Sequence, residues 1–127
     1  MRLLYIDDDR INTLLFVEAC RFAGGVETET ASSGAEALEL VRRWVPDMLV
    51  IDTHLPDTTG YTLLPALRAQ LNAPALPAFL CTAEEASLVE EPSRRVGFEG
   101  CWTKPVDLNL ILAELARRSG SAGPATA

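Results

Sequence analysis

The chain reads as a single α/β domain: a doubly wound, five-stranded parallel sheet with helices on both faces. Two observations predict this. Short apolar runs alternate five times with helix-like stretches, and 127 residues hold five such units with no room for a second domain. The central runs are also apolar throughout, as strands buried on both faces require.

Leu3 to Ile6 is the first strand, and Ile11 to Ala23 the first helix, closed by Gly24-Gly25. Val26 to Thr30 alternates polar and apolar character with period two, which suits an edge strand with one wet face. Ser33 and Glu36 have capping-box spacing and open a second helix that runs to about Trp44. Met48 to Ile51 is a short, wholly apolar strand. Pro56 and Gly60 bound a loop, after which Tyr61, Leu64, Leu67 and Leu71 mark one face of a third helix. Leu76 to Cys81 is the fourth strand. The fourth helix, Glu84 to Val96, contains Pro92 and is expected to be short or broken. Gly100 to Thr103 is the fifth strand, and Leu108, Ile111, Leu112 and Leu115 line the last helix. The domain is expected to span 1–118, and the small, polar stretch 119–127 to be a flexible tail.

Five such units favour the flavodoxin-like strand order 2-1-3-4-5, in which ligands bind beyond the carboxyl ends of the strands. Chemistry-bearing residues collect there. The first strand ends in Asp7-Asp8-Asp9, the third in Asp52, the fourth in Thr82 and the fifth in Lys104-Pro105. Clustered carboxylates repel unless a cation joins them, and all-oxygen ligands favour Mg²⁺ over zinc. A carboxylate is a competent nucleophile toward phosphorus. A metal ion, a Lys and a Thr would then neutralise the oxygens of the transferring group.

These stretches carry a resemblance. Leu4 to Asp9, Leu49 to Asp52, Leu55-Pro56 through Gly60-Tyr61, Thr82-Ala83-Glu84 and Trp102 to Pro105 resemble the receiver domains of two-component response regulators, over residues 2–118. Intervals of 44, 30 and 22 residues separate Asp8, Asp52, Thr82 and Lys104 and suit that family without insertions. Each motif alone is weak; four in order, each at a strand end, are strong. The resemblance implies that Asp52 is the phosphoacceptor. It makes Asp8 a direct ligand of Mg²⁺ (or Mn²⁺), Asp7 a ligand mainly through water, and the His54 backbone carbonyl a further ligand. Lys104 would pair with the phosphoryl group, Thr82 would close onto it, and Pro105 would follow a cis peptide that aims Lys104. The implied partners are a histidine kinase or histidine phosphotransfer protein and a downstream protein of unknown identity.

Plainer readings stand beside these. Asp9 caps the first helix, and Asp7 and Asp8 alone would pass as turn residues. Thr82 could cap the fourth helix, with Glu85 completing a box. Lys104 alone would be a solvated surface residue, and the His54 side chain solvent-exposed. Cys81 and Cys101 read as inert core residues, Trp44 and Trp102 as packing. The chain also departs from the family's pattern. Cys101 stands where receivers usually carry Tyr or Phe, so the expected switch of Thr82, Cys101 and Pro105 differs from the usual one. Movement is expected to reroute into residues 82–97.

Composition narrows the alternatives. A net charge of −7, with the Arg pairs at 42–43, 94–95 and 117–118 dispersed, speaks against nucleic-acid binding. The longest apolar run, Ala73 to Cys81, has two prolines and falls short of the ~18 residues a membrane span needs. With no signal-peptide pattern, a cytoplasmic location is expected. Cys20, Cys81 and Cys101 lack metal-site spacing and read as free thiols. A phosphatase of the haloacid-dehalogenase type would also use an early Asp nucleophile, but Arg10-Ile11 follows the acidic run where Gly-Thr is usual. It also needs a late acidic pair, and only Asp107 and Glu114 follow Lys104. A non-phosphorylated interaction module usually lacks one of the acidic residues or the Lys, and all are present here. No kinase, DNA-binding or enzymatic segment is recognisable in the chain, and no enzyme activity beyond its own phosphorylation and dephosphorylation is expected.

Overall fold

The computed structural model describes residues 1–104 and 106–126, and their side chains except at 108 and 119–126. Elements run β1 (Arg2–Ile6), α1 (Arg10–Ala23), β2 (Glu27–Ala31), α2 (Gly34–Leu40), β3 (Met48–Asp52), α3 (Gly60–Leu71), β4 (Ala78–Thr82), α4 (Ala86–Val96), β5 (Gly100–Thr103) and α5 (Leu108–Thr126). All strand pairs are parallel, in the order β2-β1-β3-β4-β5. The fold class and strand order expected from sequence are the ones observed.

The alternation of side chains along β1 divides the interior into two layers. Leu4 and Ile6 face one way, into a core with Ala37, Leu40, Leu63, Leu64, Leu67 and Val89 from α2, α3 and α4. Leu3 and Tyr5 face the other, against Phe16, Ala19 and Cys20 of α1 and Ile111 and Leu115 of α5. Each large side chain buried this way contributes roughly 1.5–3 kcal/mol. β3 and β4 are buried at every position, which explains why each is apolar up to the polar residue that ends it. Trp102 stacks on Phe79 at 4.7 Å, and Trp44 donates its indole N–H to Glu27, so both tryptophans are packing residues. Arg68 ties α3 to the loop before β4 and to the end of α4, donating to the carbonyls of Leu76 and Gly97.

Local signals explain most boundaries. Asp9 caps α1 by accepting from the amides of Ile11 and Asn12, and Gly24, at φ 70°, ends it in a conformation that costs glycine little. Ser33 caps α2, although the Glu36 carboxylate accepts from Ser32 and not from the cap residue, so the box is displaced by one position. Gly60 permits a close crossing: a Cβ there would lie 2.7 Å from the Asp52 carbonyl and 2.9 Å from Leu80.

Several expectations require correction. α2 ends at Leu40 and not near Trp44, because the following bonds tighten (Arg42 N–H to Glu39, Arg43 N–H to Leu40) and Pro46 disfavours helix at Val45. β2 begins one residue later and β4 two residues later than expected. α4 is neither short nor broken. It runs unbroken over 11 residues with Pro92 inside, giving up only the bond to the carbonyl of Leu88, an exposed residue that water reaches. Pro65 sits inside α3 in the same way and was not anticipated. Helical backbone continues in α5 through Thr126, past the expected limit at 118. Ala127 and the side chains of 119–126 lie outside the described residues.

Candidate functional site

Four strand ends place their polar residues together at the carboxyl edge of the sheet. The register pairs Ile6 with Ile51, Asp52 with Cys81 and Thr82 with Thr103, so Asp7, Asp52, Thr82 and Lys104 emerge side by side. Lys104 is the bridge. Its ammonium lies 2.9 Å from Asp7 Oδ2 and 3.0 Å from Asp52 Oδ2. Asp7 and Asp52 are buried and Asp8 is exposed. One carboxylate oxygen of each of Asp7, Asp8 and Asp52 lies within 4.8 Å of the other two. An all-carboxylate donor set of that span, half sunk in the sheet edge and half open to solvent, fits a hard divalent cation that keeps part of its water.

The electrostatics follow from burial and neighbours. Burial raises the pKa of Asp52, the nearby Asp7 charge adds to this, and Lys104 opposes both; the result is about 6. Asp7 is also penalised by burial. Hydrogen bonds from the Asp9 amide, Lys104 and the Tyr5 hydroxyl outweigh that and hold its carboxyl below the usual range. Two carboxylates of opposite bias therefore share one ammonium. Burial works against the Lys104 cation, but Asp7 and Asp52 more than compensate and raise its pKa.

Thr82 is fully buried at the end of β4, where its hydroxyl accepts from the Glu84 amide at 3.0 Å. It does not cap α4. Glu85 is the cap residue and makes no side-chain cap bond. The His54 side chain is exposed, with Nε2 3.5 Å from Glu84, as the plainer reading expected. Cys81 is fully buried. Cys101 is only half-buried, beside α4, and lines a cavity of about 280 Å³ with Glu90, Ser93, Arg94 and Phe98. The expected cis bond before Pro105 lies outside the described residues.

Two residues at or near the site were missed. Tyr5 donates its hydroxyl to Asp7 Oδ2 at 2.7 Å. Its position two residues before Asp7 on a strand, hence on the same face, was the available signal. Asp57 reaches from the loop after β3 to the start of α2, accepting from Gly34 and Ala35 at 2.9 Å each. That pairing spans more than twenty residues and leaves no local pattern.

The sequence matches the family described as "Response regulator receiver domain" over residues 3–116. The chain belongs to the response regulator receiver domain family. This receiver is 34% identical to the Mycobacterium tuberculosis protein named "Probable transcriptional regulatory protein TcrX", over 92% of its own length but only 50% of TcrX. It is 29% identical to the polar-differentiation response regulator DivK of Brucella ovis, covering 94% of the chain and 96% of DivK. The chain thus spans half of one relative and nearly all of the other. Among solved structures it superposes on the chemotaxis response regulator CheY4 of Vibrio cholerae with a TM-score of 0.81 at 28% identity, over 91% of the chain and 96% of CheY4. Receiver domains are signalling domains of two-component systems, and phosphorylation on an aspartate is the general mechanism of the family. No helix among the described residues is long and apolar enough to cross a membrane.

Proposed function

We propose that this receiver takes a phosphoryl group onto Asp52 and that Mg²⁺ or Mn²⁺ assists, held by Asp8, Asp52, the His54 carbonyl and, through water, Asp7. The observation that carries the reading is the Lys104 ammonium shared between Asp7 and Asp52, beside the open Asp8 carboxylate. An Asp52 oxygen attacks phosphorus, the phosphorus–nitrogen bond of a phosphohistidine breaks, and the released imidazole takes a proton from solvent. Lys104 follows the negative charge onto the phosphoryl oxygens, and the Thr82 hydroxyl turns to donate to one of them. The bound cation would neutralise charge on the transferring group and on the carboxylates around it. The chemistry belongs to residues 1–118, and the turns of α5 after 118 take no part in it, in a cytoplasmic protein. Output follows the Thr82 movement into α4, for which the cavity beside Cys101 leaves room.

The metal is tested by thermal unfolding. Mg²⁺ should raise the wild-type melting temperature, since a ligand at 100 times its Kd adds about 2.7 kcal/mol. Asp8→Ala should lose that rise and be no less stable than wild type without metal, because a like charge has gone. An equal Mg²⁺ rise in Asp8→Ala would remove Asp8 from the ligand set.

A histidine kinase or histidine phosphotransfer protein is the proposed donor, and α1 its docking face. Ile11, Leu14, Leu15 and Phe22 are 69%, 63%, 59% and 79% exposed, an apolar stripe next to the acidic edge that the core does not use. It flanks an apolar cavity of about 200 Å³ between α1 and α5. Leu15→Asp with Phe22→Asp should leave labelling by acetyl phosphate intact and slow transfer from a phosphorylated histidine phosphotransfer protein at least ~10-fold. Equal slowing with both donors would place the defect in the site and not in docking.

A further inference from the structure

Tyr5 occupies the next-to-last position of β1, 1% exposed, its ring stacked on Phe16 at 4.2 Å and 11°. That packing fixes where the hydroxyl points, and it points at Asp7 Oδ2, the same oxygen that Lys104 meets. The other oxygen of Asp7 accepts from the Asp9 amide at 3.0 Å. A carboxylate offers about four acceptor positions, so protein donors fill three of those on Asp7. The phenol oxygen accepts from the Cys81 thiol at 3.9 Å, which leaves its own proton for Asp7. Asp7 is therefore a buried anion with three standing donors, one of which, Lys104, also serves Asp52.

We propose that Tyr5 is a positioning residue for phosphoryl transfer: its hydroxyl holds the Asp7 carboxylate in place when Lys104 turns from Asp7 toward the phosphoryl group on Asp52. This rests on the phosphoacceptor reading above. Without the hydroxyl, Asp7 would depend on the ammonium and the Asp9 amide alone, and turning Lys104 away would leave a buried carboxylate short of donors. Tyr5→Phe keeps the ring, the stacking and every carbon contact, so its effect isolates the hydroxyl.

The test uses beryllofluoride, a phosphoryl mimic, titrated at saturating Mg²⁺ with the intrinsic fluorescence of Trp102 as signal. Tyr5→Phe should bind beryllofluoride roughly 10-fold more weakly, the scale of one hydrogen bond to a charged group. Its Mg²⁺ affinity should stay within about 2-fold, because Asp8 and Asp52 hold the ion directly. In an Asp7→Asn background the same Tyr5→Phe change should have little further effect, since Tyr5 acts through Asp7. A merely structural role would lower Mg²⁺ and beryllofluoride affinity together, with a matching loss of thermal stability, and would overturn the proposal. So would unchanged beryllofluoride affinity, or an equal loss with Asp7 replaced. A wild-type protein that binds no beryllofluoride in an Asp52-dependent way would instead overturn the phosphoacceptor reading itself.

Discussion

Asp52→Asn should abolish phosphoryl incorporation from acetyl phosphate and Mg²⁺. The amide has the size of the carboxylate and its oxygen still accepts from Lys104, so the fold and the contact at 3.0 Å survive. What disappears is the nucleophile, because an amide oxygen does not form a stable acyl phosphate at neutral pH. Intact mass measurement should show near-stoichiometric, acid-stable and base-labile labelling of wild type, and none of Asp52→Asn. Asp7→Asn should still label, more slowly. The metal-free Asn variant should also melt higher than wild type, since burial and Asp7 both oppose the charge on Asp52. Labelling of Asp52→Asn at the wild-type rate, together with loss of labelling in Asp7→Asn, would transfer the nucleophile to Asp7 and revive the phosphatase reading.

Lys104→Met should have the other large effect, on stability and on rate together. Methionine replaces the methylene stem but leaves Asp7 and Asp52 facing each other without their shared ammonium. Removing one partner of a buried pair costs ~3–5 kcal/mol. This site opens to solvent at Asp8 and Asp52 protonates readily, so about 2 kcal/mol is the expected loss in metal-free protein at neutral pH. Mg²⁺ should restore a larger fraction of stability in this variant than it adds to wild type, because the cation takes over the missing charge. Phosphorylation by acetyl phosphate should fall by roughly 100-fold, as when one preorganised transition-state donor is lost. Urea denaturation with and without Mg²⁺ reads the first effect, and the labelling time course the second. Wild-type stability without metal, with a wild-type labelling rate, would show that Lys104 does not hold the carboxylates.

The fold was legible because its central strands are buried on both faces, and such strands leave sequences like Met48 to Ile51 that have few other readings. The site was legible for a related reason. In a doubly wound sheet the residue that ends each strand has a known destination, so Asp7, Asp52, Thr82 and Lys104 could be assembled without coordinates. What sequence did not disclose depends on contacts across the chain or on solvent. Pro92 predicts a break in isolation, yet α4 persists because Val89 and Ser93 anchor it and the orphaned carbonyl of Leu88 can turn to water. The end of α2 depends on Pro46, a residue beyond the apparent pattern. Asp57 reads as an ordinary turn residue until its two bonds to the start of α2 are seen. Tyr5 passed as one more apolar strand position because its ring is indeed core; only the hydroxyl belongs to the site.

The division of β1 into two rows has a consequence for how its functional acids are addressed. Asp7 prolongs the row of Leu3 and Tyr5, and Asp8 follows the opposite row of Leu4 and Ile6. Adjacent codons thus encode two carboxylates with different duties, one locked among donors and one left open at the rim. The assignment is made by odd or even count along the strand, and chemically identical residues acquire their roles from it. Deleting Ile6 alone would therefore do more than shorten the strand. It would exchange the addresses of the two acids, withdrawing the phenol from one and offering Lys104 the other, while the composition of the site stayed nearly the same.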